Sequence, residues 1–173
     1  MDYRITNRSI YKNLSFTGFH ILVFLLGSLY IGLHPSNDKY YYILLFIWFI
    51  PVLCSIVLFL EYYKIERNQE IRIEGDTLYI NQAGENQQIH KDEVEKLVLS
   101  GTPSIHRNSY FRLLPFEAFH FLELTLKDGR RVYITSLTDP DLFKNFRKDP
   151  FFKDMQYYPV KHVYNGIWWL HFE

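Results

Sequence analysis

LSFTGFHILVFLLGSLYIGL at residues 14–33 and YYYILLFIWFIPVLCSIVLFL at residues 40–60 contain no Asp, Glu, Lys or Arg. Each run is about twenty residues long, and a helix rising 1.5 Å per residue would carry it across the roughly 30 Å hydrocarbon layer of a bilayer. Only residues 34–39, His34-Pro-Ser-Asn-Asp-Lys39, lie between them, so the pair reads as a transmembrane helical hairpin. Two adjacent charge-free runs of this length argue against a pair of buried helices in a soluble core. The first run also outlasts a signal-peptide core, and residues 30–34 offer no A-x-A-like cleavage site.

Working outward, the flanking charges orient the hairpin. Arg4, Arg8 and Lys12 precede the first run and Lys64, Arg67 and Arg72 follow the second, whereas the turn offers Lys39 beside Asp38. The positive-inside rule then puts residues 1–13 and everything after residue 60 on the cytoplasmic side of an inner membrane, and residues 34–39 outside. Tyr40, Tyr41 and Tyr42 at one end, with Tyr62 and Tyr63 at the other, suit interfacial aromatic belts. Ser28 and Gly32, with Gly27, form a small-residue patch whose spacing suits close helix packing, inside one hairpin or between two copies. Pro51 predicts a kink. His20 has no acidic or basic partner within the runs, which favours a packing role over a proton relay.

Composition narrows the classes. A net charge of zero and a pI near 7.1 give no footprint for nucleic acid. Cys54 is the only cysteine, so neither an intrachain disulfide framework nor a multi-Cys zinc site is available. Once the hairpin is set aside, about 110 residues remain, enough for one small domain, here placed at residues 61–150 with an aromatic extension at 151–173.

Past residue 60 the apolar period becomes two. Ile71 and Ile73 alternate with Glu70, Arg72 and Glu74, residues 77–80 resume after Gly75-Asp76, residues 87–90 follow a turn, and Val94, Leu97 and Leu99 mark a further strand. Residues 101–115 form a long connection. Leu122, Leu124 and Leu126 then face Val132 and Ile134 across Lys127-Asp-Gly129, which predicts a tight antiparallel hairpin. Asp139-Pro140-Asp141 predicts a helix start whose apolar face is Leu142, Phe143 and Phe146, and Asp149-Pro150 repeats the signal. In the extension, Asn165-Gly166 predicts another hairpin, and Trp168, Trp169 and Phe172 would dock on the bilayer, on a partner or on the domain itself.

This order, from residues 70–80 through 89–99 to Leu113-Leu-Pro-Phe116 and Leu124-Thr-Leu-Lys-Asp-Gly-Arg-Arg-Val-Tyr-Ile-Thr-Ser-Leu137, resembles small bacterial membrane proteins with two N-terminal transmembrane helices and a PH-like (pleckstrin-homology-like) domain. The resemblance covers roughly residues 66–148. It implies an α+β membrane protein in which a bent antiparallel sheet has one open end plugged by a C-terminal helix, and it implies a binding module with no defined reaction. The short capping segment and the aromatic extension depart from the pattern.

No nucleophile elbow, P-loop, H-E-x-x-H or C-x-x-C occurs. His90, His106, His120, His162 and His171 lack ligand spacing, and Asp92 and Glu93 beside His90 read as a solvated turn, so no enzyme, metal or cofactor is expected. Partners are then a bilayer and a protein, with a homo-oligomer open. Arg107 and Arg112 in the long connection, and Lys127, Arg130 and Arg131 at the hairpin tip, are the candidates for contact with a partner or an anionic headgroup, alongside Trp168 and Trp169. The other reading is an oligomeric transport or membrane-perturbing assembly built from the hairpin and regulated by the domain. The scarcity of polar side chains in the runs favours an anchor.

Overall fold

The computed structural model describes residues 2–33, 39–82, 84–106 and 114–161. Strand β1 (Asp2–Tyr3) leads into two long helices, α1 (Asn7–Leu33) and α2 (Lys39–Glu66), and α2 runs into β2 (Gln69–Glu74), β3 (Thr77–Gln82) and β4 (Glu85–His90). Then follow β5 (Val94–Gly101), the short helix α3 (Pro103–His106), β6 (Phe121–Leu126), β7 (Arg131–Thr135), the short helices α4 (Leu142–Asn145) and α5 (Pro150–Lys153), and β8 (Tyr157–Lys161). The strands form two four-stranded sheets, ordered β1-β2-β3-β4 and β7-β6-β5-β8. Because β1 pairs with β2 through Asp2↔Arg72 and Tyr3↔Ile71, the helical hairpin is an insertion between two neighbouring strands of one sheet.

The core lies between the sheets. Ile71, Ile73, Leu78, Ile80 and Ile89 meet Leu97, Leu99, Leu122, Leu124 and Ile134, and Phe146, Phe151 and Phe152 close the end. Strand β2 alternates buried and exposed side chains along its length, as a strand with one wet face must. The expected β6–β7 hairpin is present, with Leu122 opposite Ile134 and Leu124 opposite Val132. Its turn places Gly129 at φ +87°, a left-handed conformation that glycine adopts without a Cβ clash.

Three features differ from the sequence reading. Both helices outrun the apolar segments, with α1 starting at Asn7 and α2 continuing to Glu66, because their polar ends find partners on the domain. The expected capping helix is two short ones. Asp139 does not cap a helix at Pro140; its carboxylate accepts from the Asp141 amide at 2.9 Å and from Asn145 Nδ2 at 2.9 Å, so α4 starts only at Leu142. Asp149 does cap α5, accepting from the Phe151 amide at 3.0 Å. Finally, the sheet is not purely antiparallel. The extension returns as β8 and pairs parallel to β5, from Leu97↔Tyr157 to Gly101↔Lys161, since the crossover through α4 and α5 delivers the chain to that edge in the direction of β5. The Asn165-Gly166 hairpin, Trp168, Trp169, Arg107 and Arg112 lie outside the described residues.

Candidate functional site

The element that sets this chain apart is the joint where the hairpin meets the sheets. On α2, Leu58, Tyr62 and Glu66 fall four residues apart, and helical periodicity stacks them on one face. All three are buried. Leu58 and Tyr62 enter a cluster with Phe116, Ala118, Phe119, Phe121 and Leu137, against which Leu14 and Cys54 also pack. Tyr62 meets the edges of Phe119 and Phe121 at centroid distances of 5.6 Å and 6.3 Å, a geometry that aromatic pairs favour. The turn at residues 115–118 is thus wedged between α1 and α2, alongside residues of both apolar runs.

Hydrogen bonds surround this apolar wedge. On α1, Ser9, Asn13, Thr17 and His20 are buried at a helical spacing. Asn13 Nδ2 donates to the Ser9 carbonyl at 2.9 Å and across the joint to the Ser136 carbonyl at 2.6 Å. Thr17 and Ser55 share a hydroxyl contact of 2.6 Å between the helices, and His20 lies flat on Trp48 with ring centroids 5.3 Å apart. Lys12 pairs with Asp141 at 2.5 Å. Burial alone would push the Asp141 carboxyl up, but the Lys12 hydrogen bond and charge outweigh it and hold the group below its ordinary range. Since both side chains remain more than 40% exposed, the pair contributes well under ~1 kcal/mol.

Asn13→Ala should cost more than loss of that ion pair, about 1–3 kcal/mol, because it leaves the buried Ser136 carbonyl without its donor. The expected result is faster amide hydrogen exchange in residues 136–142 of the full chain, with β3 unchanged.

Glu66 ends α2 and is 1% exposed. Its carboxyl accepts from the Thr135 amide, from Thr135 Oγ1 at 2.8 Å and from Thr138 Oγ1 at 3.3 Å. Burial pushes its pKa from 4.5 up to about 7 against the lowering effect of those bonds. Beside it an open cleft of about 720 Å³ is lined by Arg4, Thr6, Asn7, Arg67, Asn68 and Glu70, among others.

The residues singled out in the sequence are distributed elsewhere. Arg130 bonds Asp128 at 2.6 Å and reaches Gln87 at 3.3 Å, and Arg131 pairs with Glu123 at 3.5 Å. They sit with exposed Lys127 at the tip of the β6–β7 hairpin, whose opposite end, Thr135, is the one docked on Glu66. Ser28 turns its hydroxyl back to the Phe24 carbonyl at 2.8 Å, and a Cβ at Gly32 would meet nothing within 4 Å. Gly27, 3.5 Å from Leu45 by the same measure, is the glycine of that patch that faces the other helix. Sequence reasoning missed Asn13, Glu66, Thr135 and Thr138. The available signal was the polar residue every fourth position on α1 and a glutamate in register with Leu58 and Tyr62.

Among the described residues no group of three or more His, Cys, Asp or Glu side chains is placed to hold a metal ion. A protein-family model described as a PH domain matches residues 2–146, a span that begins ahead of α1 and takes in both long helices. No curated protein and no solved structure matches the chain.

Proposed function

The chain belongs to the PH domain family, and from that membership we propose that it is a membrane-anchored, non-catalytic binding module, held at the cytoplasmic face by a hairpin that spans the bilayer over residues 14–33 and 40–60. PH domains are generally binding modules for proteins or lipids, and the match indicates no catalytic family. The observation that carries the reading is the uneven burial of the helices. Their domain-proximal ends are locked into the wedge, whereas only 17% of the residues in either apolar window are buried. Phe19, Leu22, Leu25, Leu29, Ile43 and Phe46 are among the large apolar side chains left more than half exposed, a surface that water does not tolerate and lipid does.

The alternative of a conducting assembly has less support. The polar side chains that would line a path, Thr17, His20, Ser28 and Ser55, are occupied by contacts within one chain. For the bound partner, a protein is favoured over an anionic headgroup at the Lys127, Arg130 and Arg131 tip. Acidic neighbours already engage both arginines, and the tip is at the far end of β7 from the joint. The outer strands of the two sheets are β1 and β4, and β7 and β8; of these we favour β4, a six-residue strand with Glu85, Asn86, Gln88 and His90 exposed, as the edge for strand addition.

Topology is the test. In a chain carrying Cys54→Ala, a cysteine placed at Ser36 should react with an impermeant maleimide from outside intact cells, and one placed at Lys127 should react only after permeabilisation. Labelling of Lys127→Cys in intact cells would reverse the orientation, and extraction of the chain by alkaline carbonate without detergent would remove the membrane reading altogether.

A further inference from the structure

We propose that Glu66 is a proton-binding switch in the joint: uptake of one proton at its carboxyl fastens the β7–α4 loop to the end of α2, and loss of that proton loosens it. The inference concerns a contact within the chain and holds whether or not the hairpin crosses a bilayer.

The geometry makes Glu66 unlike the other acids of the joint. It is buried, it bridges a long helix to the sheet, and its partners are the hydroxyls and backbone amides of Thr135 and Thr138, with no cation among the described residues. An ionised carboxylate there loses its hydration, and it also stands at the C-terminal end of α2, where the helix dipole disfavours negative charge. Neutral, it fits. A carboxylic acid can still accept from the Thr135 amide and hydroxyl, and Thr138 Oγ1, whose own proton goes to the Thr135 carbonyl at 2.8 Å, can take the acid proton. The adjoining cleft gives that proton a route to water.

Other charged groups on the surrounding elements do not supply the missing counter-charge. Arg4 and Glu70 line the cleft with Arg67. Glu61 lies on α2 itself, Glu117 and His120 on the stretch leading to β6, and Tyr133 on β7. Asp139 and Asp141 occupy the loop, with Asp141 paired to Lys12. The causes that set the Glu66 pKa are burial and the bonds from Thr135 and Thr138, with no charged neighbour among them.

The sign follows from linkage. With a value near 4.5 when undocked and about 7 when docked, the group binds its proton more tightly in the docked state. Its contribution to docking is therefore fully present below pH 4.5, declines as pH rises toward 7, and is absent above. That difference corresponds to roughly three hundredfold in the docking equilibrium over the whole range.

The full chain in detergent micelles tests this through amide protection factors of residues 136–145, referenced at each pH to unstructured-chain rates. Between pH 5.5 and 8 the wild-type protein should lose protection there by about ten- to a hundredfold, with β3 unaffected. Glu66→Gln, a mimic of the neutral acid, should stay protected at both values. Flat wild-type protection would overturn the proposal, as would a Glu66→Gln protein that retains the pH dependence, since His120 or another group would then be responsible. Should Glu66→Gln fail to fold, difference infrared spectra of the wild-type chain decide the matter. A protonated carboxyl band that titrates near neutral pH supports the assignment, and its absence overturns it.

Discussion

Phe119→Ala is expected to release the domain from the hairpin, at a cost of about 3–5 kcal/mol. Phe119 is completely buried and presents its ring edge-on to Tyr62, so truncation removes its own burial and leaves Tyr62, Leu58 and Leu137 around a void. The wedge is seated between two helices that cannot close over the gap without moving apart, which puts the cost toward the upper part of that range. Partial proteolysis of the full chain in micelles reads the effect. Cleavage should accelerate around residues 114–121 and 136–142, while the β2–β3 hairpin, whose side chains belong to the other core, stays resistant. Uniform acceleration would mean that the two cores unfold together and that the joint is no separate unit.

The second large effect concerns the part of the chain that looks self-contained. A fragment beginning at residue 67 should not behave as a soluble domain. It lacks Leu58 and Tyr62, exposing Phe116, Phe119, Phe121 and Leu137 as one apolar patch; it lacks Glu66, the acceptor for the Thr135 amide and hydroxyl; and it lacks β1, the neighbour of β2. Patches of this kind drive association. Size-exclusion chromatography should find the fragment aggregated or dependent on detergent, and a fragment that keeps residues 54–66 should recover part of the monomer. A monodisperse, folded fragment from residue 67 would show that the joint contributes little to the stability of the sheets.

Much of the fold was legible in the sequence. The alternation around Ile71 and Ile73, and the Asp128-Gly129 turn between matched apolar strands, are local signals with a period and a turn chemistry, and they located the elements correctly. The charge-free runs marked both long helices. The joint was not legible, for a physical reason: Asn13, Glu66, Thr135 and Ser136 are unremarkable singly, and their meaning arises from contacts across 69 and 123 positions of chain. The parallel pairing of β8 was hidden in the same way, since Tyr157-Tyr-Pro-Val-Lys161 carries a strand propensity and no sign of which edge it will join. The basic tip shows the converse. Lys127, Arg130 and Arg131 stood out as a cluster in one dimension, but Asp128 and Glu123 fold against the two arginines and reduce their exposed charge.

The place of β1 dictates an order of assembly. Asp2 and Tyr3 leave the ribosome before either long helix exists, yet the residues they pair with, Arg72 and Ile71, emerge after both. The first sheet therefore cannot be completed until α1 and α2 have been made and laid antiparallel, which returns the chain to its starting point. Formation of the helical hairpin comes first and completion of the sheet second, so residues made ahead of both helices find their partners only after them. A bulky group fused directly ahead of Asp2 would have to be accommodated at this late step.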